Sequence, residues 1–405
     1  MSYLRYKIRI IAAVLSVVIL AIGIAAVTLV NNDLPQTENH GPSRSLYENE
    51  SSSYDNGYTD SGSSEKGFIK GAWIPYMSLD LKGTDRSEKA ALDKLSQLFD
   101  KVKKDGCNTV LIHVRPFGDA LYKSKIFPAS HVISGEQGKN VSYDFLSIAV
   151  KTAKERGLKI HAWINPLRVC TSSTPQSLSD DNPYVKWQND NDTDNDRYCF
   201  KSGDNVYYDP AYPEVRKLIV DGVREIVRNY DVDGVVIDDY FYPENDIKCD
   251  SYEYDMYCKS AGLTYLSQIN WRKGNINSLV SSIYSAVHFE KKGCLFGISP
   301  QCNMENDEKI SADISSWAAV KGYADYISPQ IYVSEYHPVL PFEKSLRQWR
   351  ELVTQSGIKL YISLALYKDG TDADEGTWLK KKTNIPDQIK LCEKYKTDGV
   401  ILYSY

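Results

Sequence analysis

Short runs of β-branched and aromatic residues alternate with long amphipathic stretches from residue 67 to the end of the chain. These runs predict eight strands, and every one except the last is followed by a stretch with helical periodicity. The predicted strands are 69–77, 109–116, 159–166, 234–240, 295–300, 326–332, 360–367 and 400–403. The predicted helices are 87–104, 143–156, 213–230, 263–291, 314–323, 342–355 and 386–395. A strict strand–helix order of this length predicts an α/β fold of the TIM type, a (β/α)8 barrel.

No helix follows the eighth predicted strand, because the sequence ends two residues later. The flank of the barrel beside the first strand therefore lacks its usual cover. We expect part of the preceding segment, or an insertion, to pack there.

The N-terminus has the pattern of a membrane anchor. Basic residues precede an almost unbroken apolar run at residues 10–30. About 20 apolar residues span a bilayer as a helix, and the basic flank places residues 1–9 in the cytoplasm. The run exceeds the apolar region of a cleavable signal peptide and shows no small-x-small cleavage site, so we favour an uncleaved transmembrane anchor over a secreted protein. The rest of the chain is then expected outside the cell, at the cell membrane.

Residues 31–66 are rich in Ser, Asn, Asp, Gly and Glu, which predicts a disordered linker before the catalytic domain at 67–405. The net charge is −5 and the basic residues are scattered, so a nucleic-acid partner is not expected. Thirty Tyr and seven Trp suit a carbohydrate-facing surface, because flat rings pack on sugar faces.

Eight cysteines fall in the part expected outside the cell. Cys170 with Cys199, and Cys249 with Cys258, flank loop-like insertions and are the plausible disulfides. The cysteines predicted as buried thiols are Cys107, Cys294 and Cys392. No CxxC or Cys/His spacing supports zinc, and we expect neither a metal nor another cofactor.

The strongest candidate for a site is the segment 231–243, DVDGVVIDDYFYP, which reads as a buried strand ending in Asp238 and Asp239. Adjacent carboxylates are costly to bury, because desolvation and mutual repulsion both oppose ionisation. That cost indicates a catalytic use. The structural alternative is a helix cap or a hydrogen-bonded structural Asp.

Polar and aromatic residues also occupy the ends of the other strands, where barrel active sites lie. His113 and Arg115 share a strand face, and His161, Trp163 and Asn165 share another. The remaining candidates for substrate binding are Tyr240, Gln330, Tyr332 and Tyr367, with Trp73 and Tyr403 at the ends of the first and last strands. Each of these residues could instead have a purely structural role: a His can be hydrogen-bonded in the core, an Arg can neutralise an Asp, and an Asn can shape a turn. Together they predict one pocket.

Seven segments of the chain match, in the same order, the sequence motifs of a known protein family. They are VRPFGDALY (114–122), KIHAWINPLRV (159–169), YYDPAYPEVRKLI (207–219), DGVVIDDYFYP (233–243), INWRKGNINSLV (269–280), GISP (297–300) and SPQIY (328–332). These segments resemble the bacterial glycosyl-hydrolase-like family ten over nearly all of residues 67–405. The resemblance implies a barrel related to retaining glycosidases, exported or envelope-bound, and associated with cell-wall or other amino-sugar polysaccharides.

The chain departs from the family pattern in two places. Gln301, Cys302 and Asn303 follow GISP where the family more often carries a small or aromatic, Gly-containing stretch. The insertion 170–206 is rich in Asp and Asn, and its DTDND core lacks the Gly and final Glu of a calcium loop, so a solvated loop is expected.

Glycoside hydrolysis normally needs two carboxyls, an acid and a nucleophile or base. Asp238 or Asp239 would supply one, and the two could divide the work between them. Other candidates for the second carboxyl are Glu335, Asp369, Asp119 and Glu244. A metal-dependent hydrolase would want His on strands five and six, which have none. We therefore expect a cell-surface glycoside hydrolase acting on an envelope polysaccharide such as peptidoglycan glycan strands. The alternative is a glycan-binding barrel without catalysis.

Overall fold

Parallel strands close into a barrel, as the alternation of strands and helices predicts. The strands are β1 (Ile69–Ile74), β2 (Thr109–Arg115), β3 (Lys159–Ile164), β4 (Arg168–Cys170), β5 (Cys199–Ser202), β6 (Asn205–Tyr208), β7 (Gly234–Ile237), β8 (Leu295–Ile298), β9 (Tyr326–Ile327), β10 (Gln330–Ile331), β11 (Lys359–Ala365) and β12 (Gly399–Tyr403). β1 pairs with both β2 and β12, which closes the ring. β9 and β10 together form the sixth barrel position, since both pair with β11.

The computed structural model describes residues 67–405 except 82, 84, 244, 245 and 356. The expected cytoplasmic end, anchor and linker at 1–9, 10–30 and 31–66 lie outside the described residues. Within the described ranges, no helix has the length and apolar character needed to cross a membrane.

Helices surround the barrel. They are α1 (Tyr76–Leu79), α2 (Glu88–Lys104), α3 (His131–Ser134), α4 (Phe145–Glu155), α5 (Pro183–Asn189), α6 (Pro213–Asn229), α7 (Ser251–Ala261), α8 (Gln268–Glu290), α9 (Met304–Lys309), α10 (Ile314–Ala319), α11 (Phe342–Leu352), α12 (Ala373–Gly376) and α13 (Asn384–Lys394). Short 3-10 turns occur at Gly262–Thr264, Leu366–Lys368 and Thr377–Leu379. In α6, Pro213 starts the helix and the apolar residues Val215, Ile219 and Val223 face the barrel.

The core has two parts. The barrel interior is filled by alternate strand residues, while the residues between them pack outward against the helices. The interior residues are Ile69, Trp73, Leu111, Trp163, Val236, Tyr326, Tyr361 and Ile401. All eight are buried and four of them are aromatic, so the barrel is packed through its middle and a site has room only at an end.

Every predicted strand and helix has a counterpart, and the differences lie at the ends. The fourth barrel strand stops at Ile237 rather than at residue 240, so Asp238 and Asp239 belong to the loop that follows. The sixth predicted strand is interrupted between β9 and β10, because Pro329 has no amide proton for the ladder. Six helices were not predicted, namely α1, α3, α5, α7, α9 and α12.

The insertion 170–206 is more ordered than the expected solvated loop. β4, β6 and β5 pair in that order into an antiparallel sheet beside the barrel. The DTDND core, 192–196, does lie in a mostly exposed turn. The expected pairs Cys170–Cys199 and Cys249–Cys258 are not formed, since all eight cysteines are free.

Tyr405 covers part of the flank beside β1. Its amide donates to the carbonyl oxygen of Trp73 over 3.2 Å, and its hydroxyl donates to the carboxylate of Asp105 over 2.9 Å. Lys101 lies 5.1 Å from the centre of its ring. Asp105 and Lys101 belong to the end of α2 and its cap, so this contact joins the last residue to the first barrel helix.

Candidate active site

A cavity of about 370 Å³ opens at the C-terminal end of the barrel strands. Eight of the eleven site residues predicted from the sequence line it. They are His113, Trp163, Asp238, Asp239, Tyr240, Gln330, Tyr332 and Tyr367. The other lining residues are Trp73, Pro75, Tyr76, Met77, Arg168, Ser299 and Tyr403. Residues from the ends of all eight barrel positions therefore meet at one place.

Asp238 is buried, with 2% of its surface exposed. Its carboxylate accepts a hydrogen bond from the indole nitrogen of Trp163 over 2.8 Å and a longer one from the amide of Tyr240 over 3.4 Å. Burial raises the pKa of Asp238 to about 7, and the charge of Asp239 adds to the effect. Arg168 and the two hydrogen bonds act in the opposite direction. Asp238 therefore keeps its proton to a much higher pH than a free aspartic acid does.

Asp239 faces a different set of partners. Its carboxylate accepts from the side-chain amide of Gln330 over 2.8 Å, and the same amide donates to the carbonyl oxygen of Ser299 over 3.1 Å. Burial raises the pKa of Asp239, while hydrogen bonds from Gln330 and Gln301 favour the ionised form. Because the strand ends at Ile237, both carboxyls reach the cavity, one toward β3 and the other toward β10.

His113 presents an unused polar group to the cavity. Its ring stacks on Trp163 with centroids 3.7 Å apart and an interplanar angle of 9°. Neither ring nitrogen has a hydrogen-bond partner among the described residues, although the side chain is only 2% exposed. Burial holds the pKa of His113 well below its usual value, with help from the charges of Arg168 and Arg115. A neutral imidazole in this position can donate one hydrogen bond to a ligand and accept another.

Aromatic side chains form the opposite wall. Tyr332 stacks on Tyr403 at 5.3 Å, and Tyr367 meets both rings edge-on at 6.3 and 5.7 Å. Trp73 packs edge-on against Trp163 at 4.9 Å. Tyr367 is half exposed, so the wall continues to the cavity mouth.

Arg168 lines the cavity although the strand pattern did not single it out. Its guanidinium lies between the rings of Phe117, at 4.7 Å, and Tyr240, at 4.6 Å. Its Nε donates to the carbonyl oxygen of Pro116 over 3.0 Å. Arg168 lies in β4, four residues beyond the end of β3. The alternation of inward and outward side chains along β3 therefore does not predict its direction. The motif KIHAWINPLRV, which contains it, was the one available signal.

Three predicted site residues do not line the cavity. Arg115 is buried against the ring of Phe127 at 4.9 Å and donates to the carbonyl oxygen of Pro166 over 3.3 Å. A register shift between His113 and Arg115 separates the two side chains.

His161 lies deeper in the barrel, where one ring nitrogen is 2.8 Å from the hydroxyl of Tyr326. Asn165 accepts a hydrogen bond from the amide of Arg168 over 3.0 Å, so it shapes the turn that carries Arg168.

The other carboxyls considered from the sequence have structural partners away from the cavity. Glu335 accepts from the amide of Glu343 over 3.0 Å at the start of α11. Asp369 accepts from the side chain of Asn384 over 3.0 Å. Asp119 is fully buried and 2.9 Å from a ring nitrogen of His131. Glu244 lies outside the described residues. Asp238 and Asp239 are thus the only carboxyls among the described residues that line the cavity.

Comparison with known proteins gives a consistent picture. The family model described as glycosyl hydrolase-like 10 matches residues 68–379. The chain is 32% identical over 362 residues to glycosyl hydrolase DigH of Escherichia coli K12, covering 82% of this chain and 79% of that protein. It is 32% identical over 308 residues to glycosyl hydrolase YngK of Bacillus subtilis 168, covering 71% of this chain and 58% of that protein.

Among solved structures, the chain is similar to the glycoside hydrolase domain of PgaB (BpsB) from Bordetella bronchiseptica. The TM-score is 0.50 at 12% sequence identity, over 83% of this chain and 94% of that domain. At this identity, the likeness supports the barrel fold alone.

Proposed function

The chain belongs to the glycosyl hydrolase-like 10 family and is a glycosidase of that family, and from this premise we propose that it cleaves an envelope amino-sugar polysaccharide such as peptidoglycan glycan strands. We assign catalysis to Asp238 and Asp239. The observation that carries the proposal is this pair of carboxyls, held by different partners in a cavity with aromatic walls.

Asp238 is the proposed general acid. An acid must hold a proton at the working pH and release it to the oxygen of the leaving sugar. A pKa of about 7 meets this requirement, since a free aspartic acid would be almost fully ionised at neutral pH. The Trp163 indole fixes the orientation of the carboxyl.

Asp239 is the proposed negatively charged partner. Gln330 and Gln301 donate hydrogen bonds that favour its ionised form, and an ionised carboxylate stabilises positive charge as it develops at the anomeric carbon. In this proposal, Asp238 donates the proton and Asp239 stabilises the positive charge, and both lie at the end of the same strand. The anomeric configuration of the first product distinguishes a direct nucleophile, which retains configuration over two steps, from a base that activates water.

The remaining lining residues suit a sugar ligand. The half-exposed rings of Tyr240 and Tyr367, with the partly buried rings of Tyr332 and Tyr403, suit stacking with pyranose rings. His113 lines the cavity, and neither of its ring nitrogens has a partner in the described part of the chain, so it is the proposed hydrogen-bonding group for a sugar hydroxyl or N-acetyl group.

The test is to incubate the full-length chain with purified peptidoglycan glycan strands, with and without their stem peptides, and to analyse the products by mass spectrometry and NMR. Asp238→Asn and Asp239→Asn are assayed in parallel. Glu335→Gln is the matched control, because it makes the same carboxyl-to-amide change away from the cavity. We expect new reducing ends from the parent and the control, and at least about a 100-fold loss in each Asp variant.

Failure to release fragments, combined with equal retention of the parent and both Asp variants on the glycan, would instead support a binding barrel. Cleavage that survives in both variants would move the catalytic site elsewhere.

We further propose that the barrel lies outside the cell, held by residues 10–30. The support is the basic flank and the apolar run in the sequence. Protease added to intact cells should degrade the barrel, and the full-length chain should stay with the membrane after an alkaline wash. Release of a shortened chain into the medium would contradict the anchor and indicate a cleaved signal peptide.

A further inference from the structure

We propose that Arg168 determines substrate specificity by binding a carboxylate on the sugar beside the cleaved bond, so that the enzyme acts on an anionic glycan. The inference rests on the proposed glycosidase function and adds a charge requirement to it.

Arg168 is held in place by contacts that leave its charge unpaired. Phe117 and Tyr240 pack on its guanidinium at 4.7 and 4.6 Å, and Nε is bound to the carbonyl oxygen of Pro116. These three contacts fix the plane of the group at the cavity wall. They involve two rings and a neutral carbonyl, so none of them neutralises the positive charge.

Several other arginines of the barrel domain are paired with acids, whereas the buried Arg115 and the partly buried Arg216 donate to backbone carbonyl oxygens. Arg156 binds Asp100, Arg228 binds Glu290, and Arg272 binds Asp250. Across the described ranges, no carboxylate lies within ion-pair distance of Arg168. Asp238 and Asp239 feel its charge at longer range, since it lowers the pKa of both.

Arg168 is also the one cation among the described residues that line the cavity, because burial keeps His113 neutral. A neutral sugar can accept single hydrogen bonds from a guanidinium, but it leaves the positive charge unpaired. A carboxylate also neutralises the charge, and its two oxygens match the planar fork of Arg in a bidentate pair. The ligand that this position fits is therefore a sugar with a carboxylate substituent.

Peptidoglycan strands contain such a sugar. Every second residue is a muramic acid, whose lactyl ether ends in a carboxylate unless a peptide is attached. Since Arg168, Asp238 and Asp239 line the same cavity, we propose that a strand binds with a lactyl carboxylate at Arg168.

The test compares three glycans of similar length with the full-length chain. They are strands with free lactyl carboxylates, the same strands after conversion of those carboxylates to methylamides, and uncharged oligomers of N-acetylglucosamine. Parent, Arg168→Gln and Arg168→Lys are assayed at the pH optimum of each, because the loss of this charge also raises the pKa of Asp238.

We expect the parent to prefer the carboxylate strands over the methylamides by about tenfold or more in kcat/KM. Arg168→Gln should lose this preference through a higher KM on the carboxylate strands, with little change in KM on the methylamides. Arg168→Lys should recover part of the preference, because it keeps the charge and loses the fork.

Arg197→Gln is the matched control. Arg197 also packs on a tyrosine, with its guanidinium 3.7 Å from the ring centre of Tyr252, but it does not line the cavity. The control should keep the parent's preference.

Equal cleavage of carboxylate and methylamide strands by the parent would overturn the inference and leave the glycosidase function intact. An equal loss of kcat/KM on the carboxylate and methylamide strands in Arg168→Gln would also overturn it. That result would mean that Arg168 acts only through its charge on Asp238 and Asp239. If no glycan is cleaved, the proposed function fails. Calorimetric binding of the same glycans to parent and Arg168→Gln then decides carboxylate recognition, since equal affinities would overturn it.

Discussion

Trp163 controls the proposed acid through a single hydrogen bond. Its indole nitrogen donates to Asp238 over 2.8 Å, and this bond favours the ionised carboxylate. Burial and the neighbouring Asp239 favour the protonated form more strongly, and the balance gives the pKa of about 7. Weakening one side of this balance should therefore move the pH at which the acid loses its proton.

Trp163→Phe removes the indole donor and keeps a ring. We expect the pKa of Asp238 to rise by about one pH unit. Since the acid works in its protonated form, kcat/KM falls as pH rises through this pKa, and the alkaline limb should shift to higher pH. The pH profile of kcat/KM on glycan strands measures the shift.

Trp73→Phe serves as the control for that profile. The indole of Trp73 also lies at the cavity but donates to the hydroxyl of Ser363 over 3.0 Å. An equal shift in both variants, or none in Trp163→Phe, would show that the indole of Trp163 does not set the pKa of the acid.

Asp307 is a buried carboxyl with one oxygen unused. It is 0% exposed, one oxygen accepts from the amide of Gln301 over 3.0 Å, and the other has no partner among the described residues. Burial raises its pKa to about 8, and the charges of Asp239 and Glu308 contribute. The folded chain therefore holds this proton more tightly than the unfolded chain does.

Asp307→Asn should gain stability relative to the parent as pH rises. With a folded pKa above the unfolded one, Asp307 costs the parent stability from about pH 4 to pH 8, by at most about 1.4 kcal/mol for each pH unit. The variant has no such cost. Urea unfolding at pH 5 and pH 8 measures the difference in free energy of unfolding.

Asp387→Asn is the comparison for this experiment. Hydrogen bonds from Lys381 and Thr383 lower the pKa of the exposed Asp387 to about 2, so it is ionised at both pH values. Its effect on stability should not change between them. A constant difference for Asp307→Asn as well would mean that Asp307 is ionised throughout.

At the scale of elements, a buried ion pair between α8 and the N-cap of α7 holds the segment that follows Asp239. Nε of Arg272, on α8, donates to Asp250, at the N-cap of α7, over 2.7 Å. Arg272 also donates to the carbonyl oxygen of Asp246 over 3.0 Å, and its guanidinium packs on Tyr242 at 4.6 Å. Both charged side chains are buried, at 3% and 0% exposure.

Arg272→Met leaves Asp250 buried and unpaired, so we expect a loss of about 3–5 kcal/mol in the free energy of unfolding. Adding Asp250→Asn removes the stranded charge and should recover part of this loss. Urea unfolding of the two single variants and the double variant measures the coupling. Additive losses would mean that the pair does not hold α7 and α8 together.

The same scale shows what periodicity can predict. The barrel strands are β-branched runs bounded by turns, and their alternation with helical stretches was enough to predict a (β/α)8 barrel. α7 has weak helical amphipathicity, with Glu253 its one buried residue, so the sequence carried little signal for it. The insertion sheet was missed because Asp and Asn dominate the composition around its short strands.

Within the site, the alternation of side chains along a strand predicted the cavity residues correctly where the strands are regular. It predicted that His113 and Trp163 face the cavity together with Asp238, as they do. It failed at Arg115, because a register shift follows His113 and such shifts leave no mark in the sequence. It also had no bearing on Arg168, whose place depends on the turn that Asn165 shapes.

At the scale of the whole molecule, the barrel depends on the contact between its first and last strands. Gly399 of β12 pairs with Ile69 of β1, and a Cβ on Gly399 would lie 2.4 Å from the carbonyl oxygen of Ile69. These two strands carry Trp73 and Tyr403 into the cavity. Closure of the barrel and the positions of Trp73 and Tyr403 therefore both depend on the close approach of the backbones of β1 and β12.

Gly399→Ala should lower the free energy of unfolding by about 2 kcal/mol or more, because the added methyl group meets backbone rather than a movable side chain. Gly274→Ala makes the same change at an exposed position in α8 with nothing within 4 Å, and should raise stability by about 0.5–1 kcal/mol. Urea unfolding of both variants measures these opposite signs. The barrel strands move apart to fit the methyl group, so kcat/KM should fall for Gly399→Ala and not for Gly274→Ala. Parent-like stability and activity in Gly399→Ala would show that β1 and β12 can separate without cost, and that barrel closure does not position the aromatic wall.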